Sequence, residues 1–181
     1  MNDASTLRDE ERRLFNELNA ASVEALLNRY NKVNRWVIAD MIRRTAYHFP
    51  DKTALVFNDQ QLTYRQLETE SNKVANALID LGIEKYDRVA ILAHNTAHHV
   101  LTWLGCCKAG AVYLAINYLL RGPDIQYCIN HSESKVFIVE DALHELVADV
   151  LGEMPGVRTR IWSNQGAGEK APDDAFLEFD N

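Results

Sequence analysis

Several stretches of the 181-residue chain hold side chains whose type and spacing could do chemistry. The densest is His94-Asn95-Thr96-Ala97-His98-His99. Two histidines four residues apart on one helix face can chelate a metal. His94, however, should precede the helix that starts near Thr96, and no Asp, Glu or Cys close by completes a ligand set. Local capping and solvated imidazoles account for this turn. His144-Glu145 opens like the zinc-protease pattern H-E-x-x-H, but Ala148 stands where the second histidine must be. Cys106-Cys107 offers a thiol, yet Cys107 falls on an apolar helix face, where free cysteine commonly just packs. No histidine–acid partner for it is legible. Lys108, at the end of the same helix, complements the helix dipole. Gln165-Gly166-Ala167-Gly168-Glu169-Lys170 is rich in glycine but lacks the Ser or Thr of a phosphate loop. A phosphate cradle needs converging backbone N–H groups, and nothing here specifies them. This stretch reads as a linker. No residue is assigned a catalytic, cofactor-binding or metal-ligating role.

The elements that would position these groups alternate in a regular way. Residues 7–31 carry Leu14, Leu18, Ala21, Ala25 and Leu26 at helical steps, and a second helix runs from Val37 to His48, ended by Pro50. Thr53 to Phe57 and the return at Gln61-Leu62 make a hairpin around Asn58-Asp59. Thr63 and Gln66 have the spacing of a reciprocal capping box, and Gly82 supplies a left-handed stop to the helix between them. Then apolar runs begin at Val89, Ala111, Val136 and Thr159, about 22–25 residues apart, with helical patterns between them. Asp141 is placed to cap the last of these helices, whose apolar face is Leu143, Leu146, Val147, Val150 and Leu151. The pattern is that of βα repetition. It predicts an α/β fold with a largely parallel sheet and right-handed crossovers, and the hairpin apart from that sheet or at its edge.

Composition narrows the classes. The net charge is −7, all of it in residues 140–181, which carry 10 acidic and 3 basic side chains. Residues 1–139 are balanced at 16 of each. A nucleic-acid binder would show a basic stripe instead. The start, MNDASTLRDEERRL, has neither the basic segment nor the apolar segment of a secretory signal. The most apolar stretch, Val100 to Leu120, is interrupted by Lys108 and Asn117 and makes a poor membrane span. Three cysteines, two of them adjacent, do not form a disulfide framework. A reducing, cytoplasmic setting is expected.

Four segments, in order, resemble the N-terminal part of adenylate-forming enzymes, specifically the acyl-CoA synthetases. They are Ile38-Ala39-Asp40-Met41-Ile42 through His48-Phe49-Pro50-Asp51-Lys52-Thr53-Ala54-Leu55; Leu62-Thr63-Tyr64-Arg65-Gln66-Leu67; Lys108-Ala109-Gly110-Ala111-Val112-Tyr113 with Asn117; and Ile129-Asn130-His131-Ser132 through Lys135-Val136-Phe137-Ile138-Val139. The last resembles the fatty-acyl branch. The resemblance implies a division into an N-terminal helical extension (1–35), an α/β subdomain (36–162) and an acidic linker (163–181) to a missing remainder. It implies a parent that joins a carboxylic acid, a fatty acid among the candidates, to coenzyme A with ATP and Mg²⁺. The phosphate-holding loop, the acidic groups and the late lysine that such a reaction needs all lie beyond the matched segments, so this chain alone is expected to be inactive. The other reading is a free-standing α/β binding or interaction module that kept the scaffold without the active site. The expected partners are the remainder of the synthetase and a second copy in a homodimer.

Overall fold

A computed structural model of the protein describes residues 37–180. The helix expected over residues 7–31 and the extension over 1–35 lie outside the described residues. Contacts divide the chain into two units, Met1–Asp40 and Met41–Asn181. Helix α1 (Ile38–His48) runs across that boundary, and everything below concerns the second unit.

Strands β1 (Thr53–Phe57) and β2 (Gln60–Thr63) pair antiparallel as a separate two-stranded sheet. Asn58, at the turn, takes the positive φ of 50° that Asn tolerates better than most residues. Thr63 then caps helix α2 (Tyr64–Asp80). Its hydroxyl accepts from the Gln66 N–H, and the Gln66 side chain accepts from the Thr63 N–H at 2.8 Å. Leu67, Ser71, Ala75 and Leu78 are the buried stripe of α2, and Gly82 follows at φ 77°.

The main sheet has five strands in the order β4-β3-β5-β6-β7, every pair parallel. These are β3 (Arg88–Leu92), β4 (Val112–Ile116), β5 (Val136–Glu140), β6 (Thr159–Ser163) and β7 (Phe176–Glu178). The four apolar runs thus share one parallel sheet, as their spacing predicts. Helices α3 (Ala97–Ala109) and α4 (Gly122–His131) are the crossovers into β4 and β5. Alternation along the strands sorts the core into two layers. Ala90, Leu92, Phe137 and Val139 pack with Ile125 and Ile129 of α4. Val89, Ile91, Val136 and Ile138 pack with Leu78 of α2 and Cys106 of α3. Both faces of the sheet are therefore covered, which is why β5 is buried along its whole length.

Two expectations are corrected. The helix predicted from Asp141 is a pair of 3₁₀ segments, Asp141–Leu146 and Ala148–Glu153, separated by Val147 at φ −127°. The apolar residues Leu143, Val147 and Leu151 still reach the core, but Asp141 does not cap a helix, because its carboxylate is held elsewhere. The stretch read as a linker over 163–181 is not one throughout. It contributes β7, whose Phe176 packs edge-on against Trp162 with ring centroids 5.4 Å apart.

Lys108 lies in the last turn of α3, as expected, and also reaches beyond its own helix. Its Nζ bonds the Glu68 carboxylate at 2.7 Å, the Asn72 side-chain oxygen at 2.7 Å and the Glu68 carbonyl at 3.1 Å, tying α3 to α2. Lys108→Met is expected to destabilise the fold by about 2 kcal/mol, since it leaves a half-buried carboxylate without its cation. Urea unfolding measures this, and a loss below about 0.5 kcal/mol would reduce the pair to an ordinary surface contact.

Candidate functional site

In an open parallel sheet, ligands bind beyond the carboxyl ends of the strands, where the strand order reverses. Here β3 leads through α3 to β4 on one side, and β4 leads through α4 back across to β5 on the other. The reversal falls between β3 and β5. The histidine turn leaves the end of β3, and Glu140 ends β5, so both stand at this point.

Glu140 is 1% exposed. Its carboxylate accepts from the His94 backbone N–H and, at 3.0 Å, from His94 Nδ1. A carboxylate on Nδ1 fixes the orientation of the ring. The Tyr118 ring lies 4.7 Å from the imidazole. Thr96 caps α3 by accepting from the His99 N–H, and His99 Nδ1 meets the His94 carbonyl at 3.0 Å. The three histidines of the turn are therefore held by separate partners. Among the described residues no group of three His, Cys, Asp or Glu side chains could hold a metal.

His98 is the most deeply placed of the three, 3% exposed. Nδ1 meets Ser163 Oγ at 2.9 Å, Nε2 meets Asp180 Oδ1 at 3.3 Å, and the ring stacks on Phe179 with centroids 3.9 Å apart. Its backbone N–H donates to the Gln165 side chain at 2.8 Å. Burial lowers the His98 pKa below 6.5; the neighbouring Asp180 carboxylate opposes this and does not overcome it. A serine–histidine–aspartate chain is therefore present, but it is no hydrolase triad. Ser163 has no exposed surface, so its hydroxyl cannot reach a substrate.

The glycine-rich stretch holds a further correction. Its backbone N–H groups do converge, although nothing in the sequence specified this. Those of Gly166, Ala167 and Glu169 point at the Asp141 carboxylate at 2.8–3.0 Å, joined by that of Ala142. This is an anion-binding nest, filled by a side chain of the same molecule. Burial alone would raise the Asp141 carboxyl. The N–H donors of Glu169, Ala167, Ala142 and Gly166 outweigh it and hold the group below the usual 3.8. Gly166 has to be glycine. A Cβ there would run into the Glu140 and Asp141 carboxylates and lie 2.6 Å from Ala142 Cβ.

A cleft of about 650 Å³ opens beside this loop. His98, Gln165, Gly166 and Asp180 line one side, and Phe57 and Asp59 of the hairpin tip line the other. Cys106 is no nucleophile: burial, with a smaller push from Cys107, raises its thiol to about 12.

None of these site residues was assigned from sequence. His98, Ser163 and Asp180 meet only through the fold, because Ser163 lies 65 positions from His98. The local signals were the histidine turn and the glycine-rich patch.

Residues 42–179 match the profile of the family described as AMP-binding enzyme. The chain belongs to this family. A relative in Mycobacterium tuberculosis (strain CDC 1551 / Oshkosh), named medium/long-chain-fatty-acid–CoA/3-oxocholest-4-en-26-oate–CoA ligase, is 33% identical over 142 residues, 78% of this chain and 26% of its own length. The rat long-chain fatty acid transport protein 2 is 37% identical over 116 residues, 64% of this chain and 18% of its own. The anthranilate CoA ligase AuaEII, solved with anthranoyl-AMP, superposes with a TM-score of 0.74 at 28% identity, covering 80% of this chain and 27% of its own. A Mycobacterium tuberculosis fatty acyl CoA synthetase superposes at 0.67 and 29% identity, over 78% of this chain and 32% of its own. The chain thus spans about a quarter of the length of such AMP-binding relatives (26% of the first). The α/β fold with its parallel sheet is that of the N-terminal domains of adenylate-forming enzymes. No helix among the described residues is long and apolar enough to cross a membrane.

Proposed function

We propose that this chain is the N-terminal α/β portion of an acyl-CoA synthetase, and that it does not catalyse adenylation by itself. The observation that carries the reading is the continuous family match over residues 42–179, together with relatives named as CoA ligases. The full parent would activate a carboxylic acid with ATP and Mg²⁺ and pass the acyl group to coenzyme A. The acid is fatty if this chain follows the mycobacterial relative. The division at 35, an α/β subdomain that extends past 162 to include β7, a cytoplasmic setting and a two-fold homodimer belong to the same proposal.

The described residues do not fit the nucleotide. The one convergent set of backbone N–H groups near the strand reversal is occupied by Asp141, and no Lys or Arg lines the adjacent cleft. No step of the reaction is therefore derived from these side chains. Their contribution is scaffold: Glu140 orients His94, and His98 and Asp141 shape the loops at the carboxyl ends of the strands.

The test is carboxylate-dependent exchange of pyrophosphate into ATP. The 181-residue chain is expected to match a no-protein blank, because positioning and charge stabilisation supply most of the rate in such transfers. Exchange clearly above the blank would overturn the claim of inactivity. The reading frame beyond Asn181 tests the parent. A Ser/Thr/Gly-rich loop ending in Pro-Lys supports the synthetase, whereas an immediate stop supports the free-standing module, which no observation favours.

A further inference from the structure

We propose that His98 is a pH-responsive latch, holding β7 and the Phe179-Asp180 pair that follows it against the carboxyl end of the sheet, so that mild acidification loosens this strand while the rest of the sheet stays closed. The inference does not rest on the ligase reading.

The geometry carries it. β7 is an edge strand of three residues paired only to β6, and no helix covers the connection from β6 to β7. Its ladder with β6 is therefore short, and further fastening comes from side chains. Through His98 the N-terminus of α3 is joined to Ser163 at the end of β6, Gln165 in the loop, and Phe179 and Asp180 after β7. In the neutral ring both nitrogens are satisfied: Nε2–H donates to Asp180, and Nδ1 accepts from the Ser163 hydroxyl. A second proton places a full charge in a site 97% out of solvent, the residue being 3% exposed. The charged groups that face it are Asp180 after β7, Asp141 and, at the end of β5, Glu140. Asp59 of the hairpin and Glu70 of α2 stand on the cleft that His98 lines, and His94 and His99 flank it on its own turn. The carboxylates soften the cost of the charge, but burial is the larger effect.

The sign follows from linkage. With its pKa below 6.5 when docked, His98 binds fewer protons latched than unlatched. The latch is at full strength above the ordinary value and weakens as pH falls through it toward the docked value.

Hydrogen exchange on the full chain between about pH 7.5 and pH 5 reads this directly, above the range where carboxylates titrate. The Phe179 amide donates to the Trp162 carbonyl at 2.9 Å and reports on docking. The Ile91 amide, in the centre of β3, reports on the rest of the sheet. The protection factor at Phe179 is expected to fall by up to about tenfold per pH unit below about 6.5, the limit for one proton, while that at Ile91 holds. His98→Gln should flatten the Phe179 profile. Nitrogen NMR of the wild-type ring keeps the proposal testable if that variant does not fold, because the loss of Phe179 protection must then begin near 6.5 and level off at the lower pH where the docked ring itself titrates. A ring that titrates at or above 6.5, a flat wild-type profile at Phe179, or a parallel fall at Ile91 would each overturn the latch.

Discussion

Asp141→Ala is expected to cost about 3 kcal/mol and to open the loop from 164 to 169 to proteolysis. The carboxylate is the common acceptor for the N–H groups of Ala142, Gly166, Ala167 and Glu169. A hydrogen bond to a charged acceptor contributes about 1.5–3 kcal/mol, but part of the loop can turn to water once released, so the losses do not sum. Asp141→Asn should lose most of the same stability. A carboxamide offers one oxygen where the carboxylate offers two, and its NH₂ would face N–H donors. Acid dependence gives a second readout. The folded carboxyl lies below the ordinary 3.8, so its stabilisation is complete above that value and is lost as pH falls through it. Asp141→Asn should therefore remove part of the acid limb of the stability profile. Urea melts showing a loss under about 1 kcal/mol for the alanine variant would mean that water replaces the carboxylate without cost.

Gly105→Val is expected to be as damaging, at about 3 kcal/mol, for the opposite reason. Glycine inside a helix costs about 1 kcal/mol relative to alanine, so its presence in α3 calls for a cause. The cause is close approach. A Cβ at Gly105 would lie 2.5 Å from Val74 Cγ1, 2.9 Å from Val74 Cβ and 3.3 Å from the Ala75 backbone nitrogen. Helix α2 therefore rests nearly on the backbone of α3, and any side chain there must push the two apart. The remedy should be as specific as the injury. Combined with Val74→Gly, which removes both Val74 contacts, Gly105→Ala should be tolerated better than alone, with a coupling of at least about 1 kcal/mol in a double-mutant cycle. Additive effects in thermal or urea melts would show that the clash is relieved elsewhere.

The ladder of parallel strands was legible because burial on both faces writes itself as uninterrupted apolar runs, from Val89 and from Val136. The capping box at Thr63 and Gln66 was legible because it is a local pattern. What sequence did not disclose is what depends on partners far along the chain. Asp141 resembles a helix cap until residues 25–28 positions away supply its donors. Lys108 suits a helix terminus, and only the fold brings Glu68 of α2 to it. β7 is only three residues long, too short for a period, and it earns its place through the contact of Phe176 with Trp162. The candidate site was less legible than the fold. His98, Ser163 and Asp180 have no sequence relation that would group them.

The strand order also bears on how the molecule is made. After β3 and β4 pair, β5 joins the free flank of β3, and each later strand then joins the flank of its predecessor: β6 beside β5, then β7 beside β6. No strand from β6 on has to be inserted between two already paired. On a ribosome, where the polypeptide emerges from its N-terminus and folds by units, every strand from β5 onward meets a finished template the moment it appears. The sheet can grow like a wall laid in one direction, from β5 through β6 to β7.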